Sequence, residues 1–202
     1  MFGKRAVAFL AALILAPAAY AAAPQYFVDV GAGSAQARLG EPSGTGYRRD
    51  GNDVASAIRV GVRWRGRVSL GIETGLIYLG RFSDSYNLPG ASVHDQVRVS
   101  AGLLGVTATY RADAPWYISA RAGLLHGWLD VSSQVKPPIY VVSGNGETAG
   151  NGWYAGVGGG YDINDRFSVG AHYDFHHLNA SRNGMRMDGH VGTLMLQLEY
   201  RY

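Results

Sequence analysis

Apolar and polar residues alternate with a period of two along most of the chain from Tyr26 onwards, a pattern typical of β-strands that bury one face. The alternation is clearest at the C-terminal end, where one face carries Leu194, Leu196, Leu198, Tyr200 and Tyr202. Eight segments are predicted to be strands: 26–35, 56–65, 68–79, 96–110, 116–130, 153–163, 167–176 and 193–202. In the fourth segment the apolar phase slips at Leu103–Leu104, which predicts a β-bulge there. An even strand number is typical of a closed bacterial barrel.

The connections between these segments alternate in length. Tight turns are predicted at 65–67, 112–115 and 164–165, and long polar loops at 37–55, 83–95, 131–151 and 179–189. Outer-membrane barrels have short periplasmic turns and longer extracellular loops. The pattern therefore predicts an all-β protein, an eight-stranded antiparallel up-and-down transmembrane β-barrel with both termini on the periplasmic side.

Aromatic residues gather at both ends of the predicted strands, as expected for the two membrane interfaces. The predicted lower level contains Tyr26, Trp64, Tyr110, Trp116, Tyr161, Phe167, Tyr200 and Tyr202. The predicted upper level contains Tyr78, Phe82, Trp128, Trp153 and Phe175. Alternation alone does not tell which face points inward, and a water-soluble barrel of the lipocalin type would have an apolar interior. The two aromatic levels favour the membrane barrel.

The N-terminal segment has the features of an export signal. Lys4 and Arg5 precede the apolar stretch 6–16, and Ala19-Tyr20-Ala21 forms a small-x-small cleavage pattern. The stretch is shorter than the ~20 residues of a membrane-spanning helix. We therefore expect a signal peptide at 1–21, with cleavage after residue 21 or 23, and a barrel domain at 22–202.

Composition agrees with a barrel whose apolar and polar residues are interleaved. Hydrophobic residues make up 47% of the chain and charged residues 16%, yet mean hydropathy is only -0.05. Cysteine is absent, which excludes disulfides and thiolate metal ligands. Without Lys4 and Arg5, 16 basic residues face 15 acidic ones. The balance and the lack of a basic stripe argue against nucleic acid as a partner.

The polar faces of the strands carry charges of both signs, and these are expected to fill the interior. An eight-stranded barrel is only wide enough for side chains. We expect opposite charges to pair there and close the lumen. The predicted polar network consists of Arg59, Arg63, Glu73, Arg98, Arg121, His172, Asp174, Glu199 and Arg201, with Asp29 and Gln197 on the same faces.

The terminal segment 194–202 and the turn and strand at 161–170 resemble the OmpA/OmpX-like family of small outer-membrane β-barrels, and the resemblance extends from about residue 26 to 202. It implies localisation in the bacterial outer membrane and contact with lipid and lipopolysaccharide. Family members end in alternating apolar residues and an aromatic residue, usually Phe, which the barrel-assembly machinery reads; Tyr202 stands in that place. The implied roles are envelope integrity, adhesion to host or other cell surfaces, or surface antigen.

One histidine-rich segment offers candidate chemistry. His172, Asp174 and His176 share a strand face, and His177 and His190 lie nearby on the last hairpin. Such a row is compatible with a divalent metal or an acid–base pair. A hydrogen-bonded lumen network is favoured, because metal sites need further ligands held by a second shell. No metal or other cofactor is therefore predicted.

The same segment bears on whether the protein is an enzyme. Lipid A deacylases use this kind of barrel and carry a His-x-Ser-Asn stretch with a serine nucleophile. Here the corresponding stretch is His176-His177-Leu178-Asn179, so the position of the serine is occupied by Leu178, which has no hydroxyl to activate. No catalytic residue is predicted, and a structural or surface-interaction barrel is expected. A lipid A-modifying enzyme and a narrow channel are the alternatives.

Overall fold

The computed structural model describes residues 23–38, 48–88, 91–112, 114–136, 142–182 and 185–202. The predicted signal peptide at 1–21 lies outside the described residues. Within these ranges, no helix has the length and apolar character needed to cross a membrane.

The described chain forms antiparallel strands that close on themselves. The strands are β1 (Pro24–Arg38), β2 (Arg48–Asp50), β3 (Asn52–Trp64), β4 (Val68–Leu88), β5 (Ala91–Arg111), β6 (Trp116–Lys136), β7 (Val142–Asp162), β8 (Phe167–Arg182) and β9 (Met185–Arg201). Strands β2 and β3 both pair with β4 and are separated only by Gly51, so they form one barrel strand. The sheet order is β2-β4-β3-β1-β9-β8-β7-β6-β5, and β5 pairs with β4. The predicted eight-stranded antiparallel barrel is confirmed.

The strands extend further into the predicted long loops than expected from the sequence. The β4–β5 ladder continues to Leu88 and Ala91, and the β8–β9 ladder to Arg182 and Met185. Most of the predicted loops at 83–95, 131–151 and 179–189 is therefore paired strand, while 39–47 of the first predicted loop lies outside the described residues. The prediction failed because polar residues occupy both faces here, so the backbone pairs without an alternating pattern.

The predicted bulge at Leu103–Leu104 is wrong, because the β4–β5 register runs unbroken through both residues. The register instead shifts between Tyr78 and Gly80, where Gly80 has φ 113°. A Cβ at Gly80 would lie 2.9 Å from the Cβ of Asp53, so glycine suits both the backbone and the space. The bulge exchanges the two faces of β4 beyond it. Phe82, predicted for the upper aromatic level, is consequently buried inside the barrel.

The barrel has an inside-out distribution of polarity. Large apolar residues are exposed on its outer face, among them Val30, Ile58, Val60, Leu70, Ile72, Leu76, Leu104, Ile118, Leu124, Val157, Leu194, Leu196 and Leu198. Leu196 is 73% exposed, whereas Asp174 in the interior is 0% exposed. Soluble proteins rarely expose a continuous apolar belt. The outer face is suited to hydrocarbon.

Exposed aromatic residues border this apolar face at both ends. At the short-turn end, the exposed residues are Tyr26, Trp116, Tyr161, Phe167, Tyr200 and Tyr202, which we call the short-turn belt. At the other end, the hairpin belt contains the exposed Trp128 and Trp153 and the half-buried Phe175 and Tyr78. Trp116 and Trp128 bracket the face along β6, a span of roughly 30 Å after strand tilt. Because β4 to β7 each have 21 residues, they project beyond the hairpin belt.

Candidate functional site

The interior near the middle of the barrel is organised around one buried carboxylate. The guanidinium of Arg121 donates two hydrogen bonds to Asp174, one of them from Nε at 2.7 Å. Arg59 Nη2 lies 3.5 Å from the same carboxylate, and Arg59 Nη1 lies 3.7 Å from Asp29. With its amide oxygen turned toward the arginines, Gln197 accepts from Arg121 Nη2 at 2.9 Å and from Arg59 Nη1 at 3.1 Å. Two positive and two negative side chains on four strands thus neutralise each other, and Gln197 joins them from a fifth strand.

A second set of ion pairs closes the short-turn end of the interior. Arg63 pairs with Glu199, and Asp162 receives Arg111 Nε at 2.9 Å and Arg201 Nη1 at 3.1 Å. Arg201 Nη2 also donates to the backbone carbonyl of Asn164 at 2.8 Å. This hydrogen bond connects β9 to the turn between β7 and β8. These contacts connect β3, β5, β7 and β9 beneath the Asp174 cluster.

The remaining space between these clusters is small. Tyr154 donates its hydroxyl hydrogen bond to Glu73 at 2.7 Å, and Ser119 Oγ lies 3.0 Å from Nε2 of His172. A cavity of about 40 Å³ lies among Arg63, Glu73, His172 and their neighbours. That volume holds a few water molecules but is far below the ~300 Å³ of small-molecule sites.

The half of the interior toward the hairpins is mainly apolar, although the alternation along the strands predicts a polar interior throughout. We call this layer the apolar plug; it contains Ala35, Ala37, Ala55, Ile77, Leu79, Phe82, Val99, Ala101, Leu103, Leu125, Leu129, Leu178, Ala180, Val191 and Met195, and it borders Tyr154. The available signal was adjacent apolar pairs such as Leu103–Leu104 and Leu124–Leu125. In each pair one residue faces the plug and the other faces outward, so an apolar run marks a strand with two apolar faces.

The structure places most of the predicted polar network inside. Arg59, Arg63, Glu73, Arg121, His172, Asp174 and Arg201 are buried and Glu199 is half-buried. Arg98 is a correction: its side chain is exposed, and the neighbouring Val99 is buried. The absent bulge explains the error, since the phase of β5 continues unchanged from Thr109 back to Val99. Arg111 and Asp162 were missed because they lie at strand ends, where alternation gives no assignment.

The C-terminal residues Leu194, Leu196, Leu198, Tyr200 and Tyr202 are all exposed on the outer face, as their alternation predicted. Tyr202 stacks on Tyr26 with ring centroids 5.7 Å apart, and the backbone N–H of each residue donates to the carbonyl of the other. The terminal strand is thereby fixed beside β1.

The histidine cluster is divided between the two faces of the barrel. His172 and His176 point inward, and His176 Nδ1 lies 3.3 Å from the Val191 carbonyl oxygen. The carboxylate between them on the strand, Asp174, is occupied by arginine hydrogen bonds. His177 and His190 lie on the outer face. The inward row of His172, Asp174 and His176 is therefore part of the hydrogen-bonded interior.

Leu178, at the position where lipid A deacylases carry serine, faces the interior. Its side chain is buried in the apolar plug, opposite Gly127 on β6. A Cβ at Gly127 would lie 2.7 Å from Leu178 Cδ1, so the glycine provides the space for the leucine. The position has a packing role.

A substitution of Gly156 by alanine is expected to destabilise the barrel by about 1–3 kcal/mol through overpacking. The added Cβ would lie 1.8 Å from Asp174 Oδ1 and 2.8 Å from the Tyr173 carbonyl oxygen. The carboxylate would have to leave its arginine partners. Urea-induced unfolding in lipid vesicles measures the change.

Gly102→Ala is the matched control, because its added Cβ would meet only Trp128 ring atoms, at 3.4 Å and beyond. We expect this variant to unfold like the unmodified protein. Equal stability of the two alanine variants would show that the glycine at 156 is not required for the Asp174 contacts.

A closed antiparallel sheet with ion pairs inside and an apolar belt outside is a transmembrane β-barrel, because closure satisfies every backbone group without water. The chain belongs to the family described as outer membrane protein beta-barrel domain, whose model matches residues 6–201. It is a protein of the bacterial outer membrane. The hairpins beyond the belt of Trp128 and Trp153 are accordingly the extracellular ones.

The chain is similar to several solved structures. The outer membrane protease OmpT from Escherichia coli has a TM-score of 0.54 and 10% identity, covering 88% of this chain and 97% of that one. Ail, the attachment invasion locus protein of Yersinia pestis, has a TM-score of 0.49 and 15% identity, covering 88% and 98%. The N-terminal β-barrel domain of Pseudomonas aeruginosa OprF has a TM-score of 0.43 and 12% identity, covering 88% and 97%. Comparison with curated proteins gives no match.

Proposed function

We propose that this protein is a non-enzymatic barrel with a sealed interior, which contributes to envelope structure and makes surface contacts through its extracellular hairpins. The observation that carries the proposal is the filling of the interior in two layers. Ion pairs around Asp174 and Asp162 occupy the periplasmic half, and the apolar plug occupies the extracellular half.

The two layers oppose ion passage in different ways. Hydrated ions cross a hydrophobic constriction poorly, because the pore dewets. Below the plug, an ion would have to displace arginines from Asp174 and Glu199. The apolar plug also separates the extracellular side from the candidate acid–base residues His172 and Asp174. An extracellular substrate therefore has no open path to them.

The extracellular hairpins supply the surface for contacts. On the outer face of β5, β6 and β7, a groove of about 370 Å³ is lined by residues that include Arg98, Asp130 and Glu147. These three residues are exposed and follow one another in register across the strands. This polar groove lies just beyond the hairpin belt, at the level of the lipopolysaccharide headgroups, and its exposed side chains are accessible to the polar surfaces of host or other cells. The exposed C-terminal strand suits recognition by the barrel-assembly machinery.

The purified barrel is expected to give no steady conductance in planar bilayers, because both interior layers are packed. Current recording at applied potentials of both signs tests this result, with an open porin inserted into the same bilayers as the positive control. Heat-modifiable migration of the sample on a gel verifies that the barrel is folded. Steady single-channel steps from the folded protein would overturn the sealed interior and favour a channel.

A second experiment tests whether the protein lacks lipid A-modifying activity. Lipid A is extracted from strains with and without the protein and compared by mass spectrometry. Identical spectra are expected. A mass difference equal to an acyl chain in the strain with the protein would overturn the proposal in favour of a lipid A-modifying enzyme.

A further inference from the structure

Three potential metal ligands converge on the outer face of the last extracellular hairpin. His177 lies on β8, and Asp188 and His190 lie on β9. The Nδ1 atoms of the two histidines are 3.0 Å apart, His177 Nδ1 is 3.4 Å from Asp188 Oδ1, and His190 Nε2 is 3.7 Å from the same oxygen. One donor atom of each residue lies within 4.8 Å of the others. Since His177 is in register with Trp153, the cluster begins at the hairpin belt and extends outward from it.

We propose that His177, Asp188 and His190 bind a divalent transition-metal ion of the zinc type. Zinc bonds of ~2.0–2.2 Å in tetrahedral geometry place neighbouring ligand atoms roughly 3.4 Å apart. The separations of 3.0 Å and 3.4 Å that involve His177 Nδ1 are close to this value. The 3.7 Å contact of Asp188 is made by Nε2 of His190 rather than by Nδ1, so rotation of the His190 ring is needed to bring a single nitrogen into the set of donor atoms, which lie within 4.8 Å of one another.

The donor set determines the class of ion. Two imidazole nitrogens and one carboxylate oxygen suit Zn²⁺, Cu²⁺ or Ni²⁺, whereas Ca²⁺ and Mg²⁺ prefer oxygen ligands alone. All three side chains are on the outer surface, and Asp188 is the most exposed of them. Three protein ligands leave a fourth coordination position that faces the extracellular side and accepts water or an external anion.

Neighbouring residues hold the two rings in place. The Asn179 amide lies 2.8 Å from Nε2 of His177. The Asn179 amide nitrogen donates to Nε2 in this arrangement; with the amide rotated by 180°, its oxygen would accept a hydrogen bond from Nε2–H and leave the Nδ1 lone pair for the metal. His190 stacks between His177 and Phe175, with centroid distances of 4.7 Å and 5.3 Å, and Trp153 packs on His177 at 5.7 Å. The two imidazole rings are thus held by Asn179 and Phe175 on the same hairpin and by Trp153 on the adjacent strand.

Calorimetric titration of the refolded barrel, carrying no histidine tag, with ZnCl₂ tests the proposal. We expect one saturable site per chain. Removing a metal ligand should lower the zinc affinity more than removing a residue that only holds a ligand in place. His190→Gln is therefore expected to weaken zinc binding at least ~100-fold and Asn179→Ala about 10-fold.

His126→Gln is the matched control. His126 is also exposed on the outer face and its Nδ1 lies 2.7 Å from the Asn151 side chain, but it belongs to no group of three ligands in the described residues. This variant should bind zinc like the unmodified protein. Heat-modifiable migration verifies that every variant is folded. The proposal is overturned if folded unmodified protein shows no saturable binding, or if His190→Gln and His126→Gln bind zinc equally well.

Discussion

Replacement of Asp174 by alanine is expected to lower the free energy of unfolding by about 3–5 kcal/mol, the cost of breaking a buried ion pair by removing one partner. The carboxylate is completely buried and pairs with both Arg59 and Arg121. Without it, Asp29 and the Gln197 amide are the remaining partners near two buried guanidinium groups. Urea-induced unfolding in lipid vesicles, followed by tryptophan fluorescence, measures the loss.

Asp130→Ala is the control for Asp174→Ala, because Asp130 is exposed on the extracellular hairpin. A surface substitution of this kind changes stability by about 0.5 kcal/mol or less. Combining Asp174→Ala with Arg121→Met should cost less than the sum of the two single changes, because the double variant removes one of the unpaired charges. If Asp174→Ala were no more destabilising than Asp130→Ala, the buried ion pairs would make no net contribution to stability.

Introduction of arginine at Leu196 is expected to destabilise the folded barrel in vesicles by about 2–4 kcal/mol, as for a cation on the lipid face near the bilayer midplane. Leu196 is 73% exposed and lies on β9 midway between Tyr200 of the short-turn belt and Gly192 near the hairpin belt. The new guanidinium would enter hydrocarbon with no partner on the outer face. The same unfolding experiment measures this change.

Ile163→Arg provides the depth control, because Ile163 is an exposed apolar residue in the short turn between β7 and β8. At the interface the cost of arginine falls to about 0–1 kcal/mol. The difference in the free energy of unfolding between the two variants measures the effect of depth in the membrane, since both add the same side chain to an outward position. An equal effect at both positions would contradict a lipid-facing outer surface.

The architecture was largely predictable from the sequence, because one physical requirement repeats in every membrane-spanning segment. A strand with one face in lipid needs an apolar side chain at every second position. The segment from Leu194 to Tyr202 follows this pattern without interruption. Beyond the hairpin belt the requirement ends, because both faces meet water. The paired ends of β6 and β7 therefore carry no periodic signal, and their extension depends on backbone hydrogen bonds that any sequence can make.

The interior was less predictable, because it depends on where each strand changes phase. The slip at Leu103–Leu104 was interpreted as a bulge, although those residues simply belong to a strand with two apolar faces. The actual bulge at Gly80 has no hydrophobic signature, and it moved Phe82 inward. The proposed metal site was hidden for a related reason. Asp188 belonged to a predicted loop, so its position beside His177 emerged only from the β8–β9 register.

The pairing of β1 with β9 joins the two ends of the described sheet from Phe27 and Arg201 to Arg38 and His190. Before β9 pairs with them, β1 and β8 each present a row of unpaired N–H and C=O groups that hydrocarbon cannot solvate. Stepwise insertion of single strands is therefore unfavourable, because the backbone groups of the sheet are satisfied only when β9 pairs with β1. An outer-membrane protein crosses the periplasm before its sheet closes, so these open edges are exposed to pairing with other chains during transit.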